Sequence, residues 1–234
     1  FSCFLLILFR KKTIIELHHD LNTESRVVRF LVKYSKFLNS KYLKKAVAIT
    51  NGVKEEYIRK KYLNRKKIIV LPSGSSLKRI KNFRCKKKHF KIGYFGSLYK
   101  SRGLDLIIKL AKIDPENEYF LYGNLQNLNN LKYRFLNKNL HLNDHVPYRE
   151  IPKNLSKMDI LILPYVSSIT VAGDVGDVTK YTSPLKLFDY LSAGRPIMCS
   201  NFEVLREVIT DNKNAIFVEN YQNAFAWKKE ITKL

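Results

Sequence analysis

With 234 residues, 45% of them hydrophobic and 12% aromatic, the chain can bury a sizeable core, which argues against intrinsic disorder as the default and leaves one large or two small domains. The formal charge of +23 is placed unevenly: residues 1–90 carry 24 Lys and Arg against 5 Asp and Glu, residues 91–234 carry 19 against 15. A one-sided field of that kind suits a polyanionic partner for the front part, either nucleic acid or an anionic membrane surface. The three cysteines, Cys3, Cys85 and Cys199, are scattered without ligand-like spacing, which argues against a disulfide framework or a cysteine metal site and fits a reducing compartment.

The chain opens on the apolar run Phe1–Phe9, far short of the ~20 residues that span a bilayer. Arg10-Lys11-Lys12 follows that run, whereas a signal peptide carries its positive charges in front. The run is therefore expected to be the end of a buried helix or strand, and the chain a fragment whose preceding sequence is missing. Strand-like runs then recur at Thr13–Leu17, Val47–Thr50, Ile68–Leu71, Phe90–Phe95, Tyr119–Tyr122, Ile160–Leu163, Ile197–Cys199 and Ala215–Val218. Helix-period stretches such as Arg26–Leu43, Leu104–Ala111, Leu185–Ala193 and Phe202–Ile209 fall between them. Alternation of this kind predicts an α/β chain with parallel sheets. The turn cluster Pro72-Ser73-Gly74-Ser75-Ser76 and the basic run Lys86-Lys87-Lys88 place a linker at 73–89, between a first domain at 1–72 and a second at 90–234.

The predicted helix over Arg26–Leu43 sets Val27, Leu31, Tyr34, Leu38 and Tyr42 on one face, with Arg26, Arg29, Lys33, Lys36 and Lys44 mainly off it. Such a helix ordinarily packs its apolar face on its own domain. The alternative is contact with anionic headgroups, with Phe30 and Phe37 entering the interface.

The segment Thr182-Ser183-Pro184-Leu185-Lys186-Leu187-Phe188-Asp189-Tyr190-Leu191-Ser192-Ala193-Gly194-Arg195-Pro196 carries the clearest chemistry. Ser183 suits an N-cap and Pro184 the first helical position; Leu187, Phe188 and Leu191 form a core-facing stripe, and Gly194 with Pro196 ends the helix. Lys186 lies in the first turn, where the helix dipole disfavours a cation unless an anion sits nearby, and Asp189 follows one turn later. Free amides, a lysine and a carboxylate together suit a nucleotide diphosphate with its ribose. Upstream, the Gly96–Gly103 loop joins a strand to a helix near Leu104; its glycines permit close backbone approach, and Lys100 and Arg102 are placed to neutralise phosphate. Asp174 and Asp177, three apart in the loop of residues 171–180, are more often solvated than metal-binding.

These motifs, in their order and spacing, resemble the retaining glycosyltransferases of family four, which have the two-domain GT-B fold. The resemblance covers roughly residues 13–220. It rests on Ser183-Pro184-x-Lys186-x-x-Asp189-Tyr190 through Gly194-x-Pro196, on Ile92 to Asp105, on Asp159 to Pro164, on Val204 to Ile209, and on Glu16-Leu17-His18-His19-Asp20. It implies two Rossmann-like parallel-sheet domains, the acceptor-side one truncated. It further implies a donor site formed by Gly96, Ser97, Lys100, Arg102, Ser183, Pro184, Leu185, Lys186 and Asp189, with Asp189 on the ribose. His18 or His19 would lie near the transferred sugar as catalytic groups; the Glu-x-His spacing favours the former and the His-Asp pair the latter. Two positions depart from the family pattern: Ser97 stands where an Arg is usual, and Tyr181 where the first Glu of the paired acidic motif would fall. Neither metal nor cofactor is implied, since the donor is a substrate and helix dipole and basic side chains stabilise the leaving diphosphate. The implied partners are a nucleotide diphosphate sugar, a glycan or lipid-linked acceptor and an anionic membrane surface, with no nucleic acid favoured, and the implied location is cytoplasmic, peripheral at the inner membrane face. Competing readings are a non-catalytic binder of RNA or another polyanion, and another GT-B enzyme such as a sugar-nucleotide epimerase.

Overall fold

A computed structural model describes residues 2–21, 24–78, 88–128, 137–166 and 179–234. Cys85, most of the predicted linker, and Asp174 and Asp177 lie outside the described residues. The chain divides into two compact units: Phe1–Ser73 with Val178–Ser183 and Glu203–Val208, and Gly74–Asp177 with Pro184–Phe202 and Ile209–Leu234.

The first unit holds a parallel sheet of three strands, β1 (Thr13–Leu17), β2 (Leu43–Ala48) and β3 (Ile68–Val70), in that order. Helices α1 (Ser2–Leu8), α2 (Arg26–Ser35) and α3 (Asn51–Arg59) accompany it. Its core gathers Ile7, Val32, Leu38, Leu43, Ala46, Ala48, Val53, Tyr57 and Ile68. Of α1 only Ile7 is buried, while Leu8 and Phe9 are exposed, so the opening run is a helix that is mostly not interior within this unit.

Helix α2 corrects the expectation for Arg26–Leu43 twice. Its N-cap is Ser25, whose side chain accepts from Val28 N, and it stops at Ser35 because Lys36 adopts a left-handed φ of 51°. A short 3-10 turn, Phe37–Asn39, leads into β2. The face that turns inward is also different: Val28 and Val32 pack on the core, while Val27, Phe30 and Tyr34 point to solvent at 59%, 60% and 62% exposure. Phe37, expected at an outer interface, instead packs edge-on against Phe4 at 5.3 Å between ring centroids.

The second unit is built on six parallel strands: β4 (Lys91–Phe95), β5 (Glu118–Tyr122), β6 (Leu140–Asn143), β7 (Ile160–Leu163), β8 (Ile197–Ser200) and β9 (Ile216–Val218). Their order across the sheet is β6-β5-β4-β7-β8-β9. The chain thus winds outward in one direction from β4 to β6, returns beside β4 as β7, and winds the other way. That reversal leaves a crevice at the carboxyl ends of β4 and β7, where connections leave in opposite directions, and open α/β sheets bind ligands at such a point. Helices α4 (Leu104–Ile113) and α7 (Ala224–Thr232) pack together, burying Leu104, Ile107, Leu110, Trp227 and Ile231. Helices α5 (Ile151–Leu155) and α6 (Leu185–Ala193) also pack against one another. Every residue of β7 and β8 is buried, as central strands covered on both faces must be. The predicted helix over Phe202–Ile209 is instead a 3-10 turn, Glu203–Glu207, in a stretch that belongs to the first unit, with Phe202, Val204, Leu205 and Ile209 all buried.

Candidate functional site

The crevice is shaped by two glycines that no other residue replaces without strain. Gly96 follows β4 with φ +151°, and a Cβ there would stand 2.2 Å from Lys186 Nζ. Gly103, with φ +85°, precedes α4, and a Cβ there would stand 1.8 Å from the Pro164 carbonyl oxygen beyond β7. Between them, Lys100–Arg102 forms a 3-10 turn. The Gly96 amide donates to Tyr122 O at 2.9 Å, which continues the β4–β5 ladder into the loop.

Helix α6 enters the same crevice. It starts at Leu185, with Pro184 as the cap residue (φ −70°, ψ 112°) and no side-chain capping bond, so the expected Ser183 cap is one residue out. Ser183 belongs to the first unit, and its Oγ accepts from Ser73 N at 3.4 Å. The inward face of α6 is Leu187, Tyr190 and Ala193 rather than Leu187, Phe188 and Leu191. Tyr190 Oη accepts from Phe95 N at 2.8 Å, which ties the helix to the end of β4.

This registration delivers Lys186 into an aromatic enclosure. Its Nζ donates to Tyr94 Oη at 3.1 Å, lies 4.6 Å from the Tyr94 ring centroid and 5.9 Å from that of Tyr165. Tyr94 Oη in turn donates to Ser97 O at 2.8 Å, so Ser97 takes part through its carbonyl while its side chain is exposed. Arg102 stacks on Tyr165, its guanidinium carbon 5.2 Å from the ring centroid. Burial, with the nearby Arg102 charge adding to it, pulls the Lys186 ammonium down to about 7. Burial likewise raises the phenols of Tyr94 and Tyr165. Two cations held together in a poorly solvated place are a preorganised site for an anion.

A cavity of about 180 Å³ adjoins these groups, lined by Phe95, Tyr122, His145, Tyr148, Lys186 and Asp189, among others. Phe95 and Tyr122 stack face to face at 4.4 Å, their planes 6° apart. The cavity therefore has an aromatic lining, a cation and a carboxylate, three features that suit a nucleoside diphosphate: an apolar surface, charge neutralisation, and an acceptor for hydroxyls.

Of the residues expected at a donor site, Gly96, Lys186 and Asp189 line one cavity, and Arg102 joins Lys186 around Tyr165. Lys100 and Leu185 are exposed, and Ser183 is assigned to the other unit. His18 and His19 follow the end of β1 in the first unit. His18 is exposed with Nε2 3.5 Å from Glu16, and His19 has Nδ1 3.0 Å from Asp20 O and Nε2 3.9 Å from Glu24. Sequence reasoning missed the aromatic wall (Phe95, Tyr122, Tyr148) and the enclosure made by Tyr94 and Tyr165. A tyrosine or phenylalanine at the end of an apolar run reads as core; only the place of Phe95 and Tyr122 as the last residues of β4 and β5, and of Tyr165 just past β7, hints at a ligand, and Tyr148, which opens a 3-10 turn, carries no such signal.

Residues 75–234 match the sequence profile of the family described as glycosyl transferases group 1. The chain belongs to that family. No curated protein matches the sequence significantly. Group 1 membership agrees with the structural likenesses. The Anabaena protein HepE, solved in complex with UDP, superposes with a TM-score of 0.67 at 12% identity, over 99% of this chain and 66% of that one. A glycosyltransferase from Rickettsia africae gives 0.60 at 14% identity, over 94% and 59%. WaaG, a glycosyltransferase involved in lipopolysaccharide biosynthesis, gives 0.59 at 13% identity, over 95% and 67%. The chain thus spans about two thirds or less of these proteins' lengths. At such identities the likeness speaks for the fold, the GT-B arrangement of Rossmann-like parallel sheets, as the motifs led one to expect.

Proposed function

We propose that this chain serves a retaining transferase of glycosyltransferase family four, moving a sugar from a nucleoside diphosphate to a glycan or lipid-linked acceptor in envelope polysaccharide or glycolipid synthesis. The observation that carries the reading is the Lys186 ammonium, held among aromatic rings beside Arg102 and in one cavity with Asp189. A cation so placed costs free energy until an anion arrives, which the diphosphate of a nucleotide sugar supplies. In the reaction, negative charge grows on the departing diphosphate, and Lys186 and Arg102 stabilise it as it forms. The base lies against Phe95 and Tyr122, and Asp189 accepts from ribose hydroxyls. Departure of the diphosphate, not attack by a protein nucleophile, drives transfer; His18 or His19 keeps the implied role near the reacting sugar, with no metal required. HepE was solved with UDP, which makes UDP the first nucleotide to try. Calorimetric titration of the chain with UDP, GDP and ADP tests the reading: one is expected to bind, and binding of none would leave the site without its ligand.

The basic first unit supports a peripheral site of action at the inner membrane face. The exposed row Val27, Phe30 and Tyr34 runs beside Arg26, Arg29 and Lys33 on α2. An apolar stripe edged by cations suits a bilayer of anionic lipid better than RNA, because nothing in α2 requires bases to stack. Among the described residues no helix is long and apolar enough to cross a membrane.

A further inference from the structure

Asp189 already has hydroxyl partners within its own unit. Its Oδ1 accepts from Ser75 Oγ at 2.6 Å and from Tyr148 Oη at 3.2 Å. Tyr148 Oη lies 3.3 Å from Ser76 Oγ, and Ser75 Oγ accepts from Leu77 N at 3.0 Å. A tight turn at Ser75–Leu77 therefore presents its hydroxyl to the carboxylate, and the tyrosine at the cavity wall supplies a second. A carboxylate oxygen has room for about two donors, so Oδ1 is filled. Two hydroxyls converging on one carboxylate is also the pattern that the vicinal diol of a ribose would make.

We infer that Ser75 is a resident stand-in for a ribose hydroxyl, displaced from Asp189 Oδ1 when the vicinal diol of a bound nucleoside diphosphate takes both carboxylate oxygens. The inference rests on the nucleotide reading above and goes beyond it. A hydrogen bond to a charged acceptor is about twice as strong as a neutral one, so losing the Ser75 bond offsets much of what the ribose gains. Ser75 thereby lowers the affinity for every ribonucleotide and links cavity occupancy to the position of the Ser75–Leu77 turn.

The test is calorimetry on the whole chain, wild type against Ser75→Ala, titrated with UDP and with a dideoxy analogue lacking both ribose hydroxyls. The substitution is expected to tighten UDP binding about five- to tenfold, on the scale where tenfold is about 1.4 kcal/mol, and to leave the dideoxy analogue unchanged. Unchanged or weaker UDP binding by Ser75→Ala, with wild type still binding, overturns the inference while the nucleotide reading stands. Equal tightening of the dideoxy analogue also overturns it, since Ser75 would then act by bulk alone. If neither protein binds UDP, GDP or ADP, the nucleotide reading falls and the stand-in role falls with it.

Discussion

The Lys186 ammonium occupies the space that a side chain at position 96 would need: a Cβ on Gly96 would meet Nζ at 2.2 Å and Cε at 3.0 Å. The two residues are 90 positions apart in the sequence, yet a side chain at the one would contend with the ammonium of the other. Gly96→Ala is therefore expected to displace the ammonium and to strain the backbone at φ +151°. We expect a loss of about 1–3 kcal/mol in stability by denaturant unfolding, with nucleotide affinity reduced by an order of magnitude or more.

Lys186 makes both stability and binding depend on pH. Its folded value is about 7, against an ordinary lysine value of 10.5 in the unfolded chain. Between those values the unfolded chain holds a proton that the folded chain lacks, so this residue's contribution to stability rises with pH across that window. Lys186→Met should flatten that part of the stability–pH curve. Binding a diphosphate favours the charged form, so affinity should fall as pH rises above about 7, and binding at pH 8 should take up a proton. Titration in two buffers of different ionisation enthalpy reads that uptake directly.

Asp189→Ala removes the acceptor proposed for the ribose. Hydrogen bonds to a charged group contribute about 1.5–3 kcal/mol each, which, less the part offset by the resident Ser75 bond, predicts a drop in nucleotide affinity of several-fold, growing to tenfold or more in a Ser75→Ala background. Unchanged affinity would sink the ribose assignment.

The exposed face of α2 is testable with vesicles. Co-sedimentation with anionic vesicles is expected to exceed that with neutral ones and to weaken as salt rises. Removing one exposed aromatic, Phe30→Ser, should lower the bound fraction through lost apolar burial, equivalent to about 1.5–3 kcal/mol for a side chain fully inserted. Phe37→Ser, by contrast, removes a ring already packed on Phe4, and so should lower stability more than membrane binding.

Gly103 offers a control that separates structure from chemistry. A side chain there would collide with the Pro164 carbonyl at 1.8 Å and force φ +85° on a residue with a Cβ. Gly103→Val should lower the midpoint of thermal unfolding sharply whether or not nucleotide is present.

Strand identity was legible where apolar and β-branched residues dominate a short run. Thr13–Leu17 and Ile160–Leu163 are strands with the bounds predicted. Leu140–Asn143, a short edge strand reading Leu-His-Leu-Asn, escaped because two of its four residues are polar, which an edge tolerates and a pattern search does not. Helix period placed the bounds of α6 correctly, yet it misjudged the inward face of α6 in part and that of α2 more widely. Apolar residues lie on two sides of α2, and only packing on the core of its unit chooses Val28 and Val32 for the interior.

By itself the sequence determined the class of fold, the alternation of strand and helix, and the short segments that hold the donor-site motif, because propensity, caps and glycine punctuation act over a few residues. The three-dimensional fold decided what those segments do together. Sheet order set β4 beside β7 and so made the crevice; the turn of α6 on the bond from Phe95 N to Tyr190 Oη aimed Lys186 at Tyr94; and Ser75, 114 positions before Asp189, came to lie against its carboxylate. Contacts between residues so far apart arise from packing many apolar faces at once, and no local pattern in the chain encodes them.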